Sequence, residues 1–297
     1  MLRRTLVLLL ALLSCRPTGE RRASPSDNPL SITDDAGRPI TLAAPARRVV
    51  SLAPSSTELL FALGAGDQVV GRTTWCRYPA AALRVPVVGD GLNPNVEAIA
   101  AQRPDLVVLY RSALNAAAVT QLEQLHIPAV ILAQDRLEDV SRAARRLGGL
   151  TGHAAAGDSI AYGIDALLAP PPQRTEPPLA TLTFVVWDTP PMVIGAGSYL
   201  DQLATLAGAK NVFGDLTTAS ATVSLETIAA RDPDVIVILS DTTQVAGLLA
   251  RREWRAIRAV RERRFVVLPA DLFGRPSPAV PAAVAAFRQA LLAARPR

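Results

Sequence analysis

Short, largely apolar runs recur along the chain at Val49-Val50-Ser51-Leu52, Leu106 to Tyr110, Ala129 to Leu132, Phe184 to Trp187, Val235 to Leu239 and Phe265 to Leu268. Each is four or five residues long, and most are rich in Val and Ile. That length and composition predict strands covered on both faces. Between them lie Ala- and Leu-rich stretches of helical length, among them Thr57 to Leu63, Ala116 to Leu125 and Leu137 to Leu147. Strands that alternate with helices predict parallel sheets with crossover connections, so the fold class is α/β.

The pattern repeats. Val96-Glu97-Ala98-Ile99-Ala100-Ala101-Gln102-Arg103-Pro104-Asp105-Leu106-Val107-Val108-Leu109 returns 129 residues later as Leu225-Glu226-Thr227-Ile228-Ala229-Ala230-Arg231-Asp232-Pro233-Asp234-Val235-Ile236-Val237-Ile238. In each copy a short helix begins next to a glutamate, where the helix dipole favours a carboxylate. A Pro-Asp turn then ends the helix and feeds a buried strand. An offset this long suits two lobes of similar topology and is too long for a solenoid period. Between the copies, residues 153–169 contain no Pro and predict one helix about 25 Å long. The Pro170-Pro171-Pro172 run stops it. Two α/β lobes joined by a single helix leave a cleft between them, a common place for a ligand.

The N-terminus sets the compartment. Arg3 and Arg4 precede an apolar run from Leu6 to Leu13, followed by Ser14-Cys15. A run this short cannot span roughly 30 Å of hydrocarbon, and with its basic flank it reads as a secretory signal. Residues 16–29, rich in Pro, Ser, Arg and Asp, read as a solvated tether. The expected organisation is therefore a signal over 1–14, a tether over 15–30, an N-terminal lobe over 31–152, a backbone helix and linker over 153–178, and a C-terminal lobe over 179–297.

Composition narrows the chemistry. The 297 residues carry 31 basic and 26 acidic side chains for a net charge of +5, and Lys210 is the only lysine. No dense basic run carries aromatics between its charges, which argues against nucleic acid. Two histidines and two cysteines offer little for a zinc site or a Cys–His pair, and no metal or other cofactor is expected. There is no Gly-x-Ser-x-Gly elbow, and Gly195-Ala196-Gly197-Ser198 fits neither a dinucleotide nor a P-loop spacing, so no enzymatic activity is expected. If Cys15 is acylated, Cys76 has no disulfide partner and is expected to be packing.

Several segments together resemble a known family. They are Ser14-Cys15, Asp35-Ala36-Gly37-Arg38-Pro39-Ile40-Thr41-Leu42, Arg48-Val49-Val50-Ser51-Leu52-Ala53-Pro54-Ser55-Ser56-Thr57-Glu58, Trp75-Cys76-Arg77-Tyr78-Pro79, Pro94-Asn95-Val96-Glu97 and Arg103-Pro104-Asp105-Leu106-Val107. The chain is similar, from about Leu30 to its end, to the helical-backbone substrate-binding proteins of ABC importers for cobalamin, ferric siderophores and haem. That resemblance implies two lobes spanned by a long helix, little hinge motion, and delivery of a bulky metal chelate to a permease dimer. It implies a lipoprotein acylated at Cys15, held at the periplasmic or outer cell surface by that lipid alone, and acting as a monomer. It also implies that Glu97 and Glu226, one per lobe, dock on arginines of the permease; the plainer reading is that each only favours its helix start.

For the ligand, aromatics are scarce at 4%, so their placement is informative. Trp75, Tyr110 and Trp187 fall in loops or at strand C-terminal ends, where ligands of parallel sheets sit. The resemblance adds Tyr78, Phe273 and Arg275, with Pro54, Ser55 and Ser56 supplying polar groups at a helix start. Trp254 is expected to be packing. Within the family the Trp75 to Pro79 stretch most resembles the corrinoid branch, although Thr218-Ala219-Ser220-Ala221 lacks the tryptophan that branch often carries there. Haem would use Tyr78 or Tyr110 as axial ligand. Ferric siderophores would use Arg77, Arg111 and Arg275.

Overall fold

The computed structural model describes residues 29–294 except 92, 170–176, 240 and 241. The expected signal, Cys15, nearly all of the tether and most of the linker after the backbone helix lie outside the described residues. In the N-terminal lobe the order is β1 (Leu30–Thr33), β2 (Pro39–Leu42), β3 (Val49–Ser51), α1 (Pro54–Ala62), β4 (Val69–Thr73), β5 (Val87–Gly89), α2 (Val96–Ala101), β6 (Leu106–Tyr110), α3 (Ala113–Gln124) and β7 (Ala129–Leu132). Two helices follow, α4 (Leu137–Thr151) and α5 (Ala154–Leu168). The C-terminal lobe runs β8 (Thr181–Asp188), β9 (Pro191–Ile194), α6 (Tyr199–Ala207), β10 (Lys210–Asn211), β11 (Ser220–Thr222), α7 (Leu225–Arg231), β12 (Val235–Leu239), α8 (Thr242–Ala250), α9 (Arg258–Arg261), β13 (Phe265–Leu268), α10 (Ala270–Phe273) and α11 (Val280–Ala293). Leu30, assigned to the tether from sequence, is the first residue of β1.

The first sheet is wholly parallel in the order β5-β4-β3-β6-β7. Successive residues of its central strands point to opposite faces. Val49, Leu106, Val108, Val130 and Leu132 pack under α1 and α4. Val50, Val107, Leu109 and Ile131 pack under α2 and α3. Both faces are covered, which is why these strands read as continuous apolar runs. Each such side chain contributes about 1.5–3 kcal/mol relative to an exposed one.

The second sheet departs from the expectation of parallel strands throughout. Strands β10, β8, β12 and β13 are parallel. However, β8 turns at Thr189-Pro190 directly into the antiparallel β9, and β11 pairs with β9. A two-residue connection leaves no room for a crossover helix, so the pairing has to be antiparallel. This hairpin carries Trp187 beyond the parallel part of the sheet.

The internal repeat is structural. Asn95 caps α2 by accepting from Ala98 N at 2.9 Å, and Ser224 caps α7 by accepting from Thr227 N at 3.2 Å. Arg103 and Asp232 occupy the same repeat position, and both adopt positive φ, 47° and 43°. Asp105 then accepts from the backbone N–H groups of Arg47 and Arg48, and Asp234 from that of Thr181. In both lobes the Pro-Asp turn thus ties its helix to the start of the neighbouring central strand.

The lobes are joined through α4 and α5. Helix α5 places Ala161 in the N-terminal core and Ile164 in the C-terminal core, with Leu167 and Leu168 packed on the latter. Helix α4 runs beside it. Its first turns give Leu137 and Val140 to the C-terminal core, and Ala143, Ala144, Leu147 and Leu150 belong to the N-terminal core. The connection reverses at Gly152, whose φ of 80° suits a glycine. Gly157 lets the helices touch, because a Cβ there would overlap the Ala144 carbonyl.

Candidate ligand cleft

The C-terminal edges of the two sheets meet at the junction of the lobes. From the first come the start of α1 after β3, the Trp75 to Tyr78 loop after β4, Arg111 after β6 and the 133–136 segment after β7. The second contributes the β8–β9 turn and the 273–277 loop after β13 and α10. Hydrogen bonds cross the junction. Tyr199 N donates to the Asp135 carbonyl at 2.9 Å, Leu137 N donates to Gln202 Oε1 at 2.9 Å, and the Arg136 guanidinium donates to the Ala196 carbonyl.

Within this cleft the aromatics are unusually open. Trp75 is 60% exposed, Tyr78 51% and Trp187 61%, and Tyr110 is partly exposed at the end of β6. Cys76, between the two aromatic loop residues, is buried with its Sγ 3.1 Å from Thr73 Oγ1, so the loop is anchored through the thiol while the rings face outward. Trp187 Nε1 donates to the Thr189 carbonyl at 3.0 Å, which holds the indole across its own hairpin. Trp254 is buried in the C-terminal core.

Other predicted contacts sit differently. Phe273 is only 1% exposed and packs edge-on against Phe287, 6.0 Å between ring centroids, so it is a core residue and offers no ring to a ligand. Ser55 and Ser56 are buried: the Ser55 hydroxyl donates to the Pro276 carbonyl of the other lobe, and Ser56 Oγ accepts from Gln134 Nε2 at 2.8 Å. Their hydroxyls hold the lobes and loops together, and Pro54 beside them is half-buried. The hydroxyl of Tyr199, donating to the Phe273 carbonyl at 2.7 Å, fastens the same loop, and burial pushes that phenol up.

Arg275 reaches across the junction to Glu58, a residue singled out from sequence only as part of a motif. Its Nε and Nη2 both lie 2.7 Å from Glu58 Oε2, and its guanidinium stands 5.4 Å from the centroid of the Tyr78 ring. Burial pushes the Glu58 carboxyl above its ordinary value, more than the Arg275 charge and the hydrogen bonds from Arg275 and Ser277 pull it down. A carboxylate heading the apolar Leu59 to Leu63 run was the available signal. Leu114, exposed in the first turn of α3 beyond β6, is a second residue at this edge that sequence reasoning missed. Of the arginines considered for siderophores, Arg111 pairs with Asp135 at 3.1 Å and Arg77 is exposed.

Glu97 and Glu226 are both exposed. Each helix runs antiparallel to the strand it feeds, so its glutamate lies toward the cleft edge of its sheet. Glu226 is held below the ordinary carboxylate range, chiefly by a hydrogen bond from Ser224. Among the described residues no cluster of His, Cys, Asp and Glu converges as metal ligands.

Comparison with known proteins places this geometry. A vitamin B12-binding protein of Pectobacterium atrosepticum is 29% identical over 210 residues, 69% of this chain and 75% of that protein. An uncharacterized ABC transporter substrate-binding lipoprotein of Bacillus subtilis is 28% identical over 258 residues, 84% of this chain and 81% of that one. Among solved structures, the periplasmic vitamin B12 binding protein of Vibrio cholerae superposes with a TM-score of 0.70 at 24% identity, over 85% of this chain and 99% of that one. The periplasmic haem-binding protein of Roseiflexus sp. RS-1 superposes with a TM-score of 0.72 at 25% identity, over 84% and 99%. These relatives are binding proteins. Residues 49–272 match the periplasmic binding protein family, and the chain belongs to it.

Proposed function

We propose that this protein captures a corrinoid in the cleft between its lobes and delivers it to the permease of an ABC importer. The observation that carries the reading is the open aromatic set of Trp75, Tyr78 and Trp187, drawn from both lobes at the C-terminal edges of the sheets. Large rigid rings give a wide, flat ligand apolar contact while losing little conformational entropy. Two curated relatives quoted above, a vitamin B12-binding protein and a transporter lipoprotein, support the ligand class and the transport role.

Delivery uses Glu97 and Glu226 as a pseudo-symmetric pair of anions, suited to a two-fold partner with two cationic pockets. Residues 1–14 act as signal and Cys15 carries the lipid that tethers the protein outside the cytoplasm. The lobes extend over 30–152 and 179–297, with 153–178 as backbone helix and linker, and the protein works as a monomer.

Calorimetric titration with cyanocobalamin tests the reading. Micromolar or tighter binding is expected, weakened about thirtyfold or more by Trp75→Ala or Trp187→Ala, since truncating a central aromatic contact costs about 2–4 kcal/mol. Binding of haemin or a ferric hydroxamate with no response to cyanocobalamin would overturn the corrinoid assignment.

A further inference from the structure

Three arginines, Arg77, Arg111 and Arg275, lie on loops at the cleft edge, and the guanidiniums of two of them face carboxylates of the protein. Arg275 is paired with Glu58, its Nε donating to Oε2 at 2.7 Å and its Nη2 lying as close without hydrogen-bond geometry, and both side chains are largely buried. Arg111 is bound by Asp135 at 3.1 Å in an exposed pair. The Glu58 pair joins the two lobes and is steadied by the neighbouring Ser55 to Pro276 hydrogen bond. Glu58 also lines, with Tyr78, Phe61 and Ile160, a largely apolar crevice of about 490 Å³ that opens beside the aromatic loop. A negative group placed there would meet the Glu58 carboxylate, whereas Arg275 does not line the crevice.

We propose that Glu58 and Asp135 set the charge selectivity of the cleft. Each cancels one guanidinium, so the site favours uncharged chelates and rejects anionic ones. This rests on the reading of the cleft as a chelate site. An uncompensated guanidinium in a partly buried site attracts an anion strongly, because the local dielectric is low and the charge is poorly screened. Paired with a carboxylate, it presents almost no net charge to the ligand, and an incoming anion would have to displace its partner.

The test compares cyanocobalamin, which carries no net charge, with a triply anionic ferric tris-catecholate. Binding of each to wild type, Glu58→Gln and Asp135→Asn is measured at low and high salt. Glu58→Gln should bind the catecholate about tenfold tighter relative to cyanocobalamin than wild type does, with a gain that shrinks at high salt. Asp135→Asn should give a smaller gain of about threefold, since its pair is exposed. The double variant Glu58→Gln/Arg275→Gln should lose the gain. Should Glu58→Gln fail to give folded protein by circular dichroism, Asp135→Asn decides by the same criterion. Catecholate affinity unchanged in the folded variants, or cyanocobalamin gaining equally, would overturn the proposal. The selectivity is read as variant over wild type, so it is decided separately from whether wild type binds cyanocobalamin, which tests the earlier reading.

Discussion

Alanine at Gly157 and at Gly163 should move stability in opposite directions, although both lie in α5 and both changes favour helix. On intrinsic propensity each substitution stabilises by about 1 kcal/mol. At Gly163 nothing lies within 4 Å of the new Cβ, so that gain should survive. At Gly157 the Cβ overlaps the Ala144 carbonyl oxygen and approaches Gly148 Cα at 3.3 Å. These are backbone atoms of α4, which cannot rotate aside as a side-chain tip would. Overpacking of this kind costs about 1–3 kcal/mol, with backbone collisions toward the upper end. The net effect at Gly157 is then a loss of about 1–2 kcal/mol. With a shift of about 2–4 °C per kcal/mol for a chain of this size, Tm should fall by about 2–8 °C in Gly157→Ala and rise by about 2–4 °C in Gly163→Ala. Differential scanning calorimetry of the three proteins under one condition reads both. If Gly157→Ala raised Tm as Gly163→Ala does, the close α4–α5 contact that joins the lobes would be wrong.

Some further outcomes follow from the same geometry. Replacing Glu97 and Glu226 by Ala should leave ligand affinity unchanged and weaken permease binding in a salt-sensitive way, most in the double variant; an equal loss of ligand affinity in the soluble protein would remove the docking role. Because α5 and α4 both bridge the cores, small-angle scattering should give nearly the same radius of gyration with and without ligand, whereas a large contraction would indicate a hinge. Burial pushes Asp34, Asp35 and Asp234 up, but hydrogen bonds from backbone amides and arginines outweigh it and hold each carboxyl low. Their contribution is complete above the unfolded Asp value of about 3.9 and is lost as pH falls through the folded values. The urea midpoint should therefore drop below about pH 4, and a midpoint that rose on acidification would contradict this.

Much of the fold was legible because the strands are packed on both faces, fully in the inner strands and partly in the edge strand β13. Leu106–Tyr110, Ala129–Leu132, Val235–Leu239 and Phe265–Leu268 form over the residues their apolar runs predicted. The helix expected over 153–169 forms as Ala154–Leu168, with the predicted end residues as its caps. Less legible were β1 and β2, whose alternation is short, and the β9–β11 addition, whose partners are distant in sequence. Strand-end position revealed the open aromatics, since a residue just past a parallel strand faces the cleft edge. It could not reveal that Phe273 turns into the core, or that Ser55 and Glu58 are spent on the other lobe. The first depends on how α10 seats against α11 within the C-terminal lobe and the second on how the lobes meet, and no local pattern encodes either.

Tryptophan fluorescence during a cyanocobalamin titration tests the central claim most directly. The chain has three tryptophans: Trp75 and Trp187 are open in the cleft and Trp254 is buried in the C-terminal core. A corrinoid between the lobes should quench Trp75 and Trp187 saturably at micromolar concentration or below, leaving the emission of Trp254 as the residue of the signal. Trp75→Phe/Trp187→Phe should retain only that buried component and respond little. Emission that declines linearly with added cobalamin without saturating, or equal quenching in the double variant, would contradict capture in this cleft.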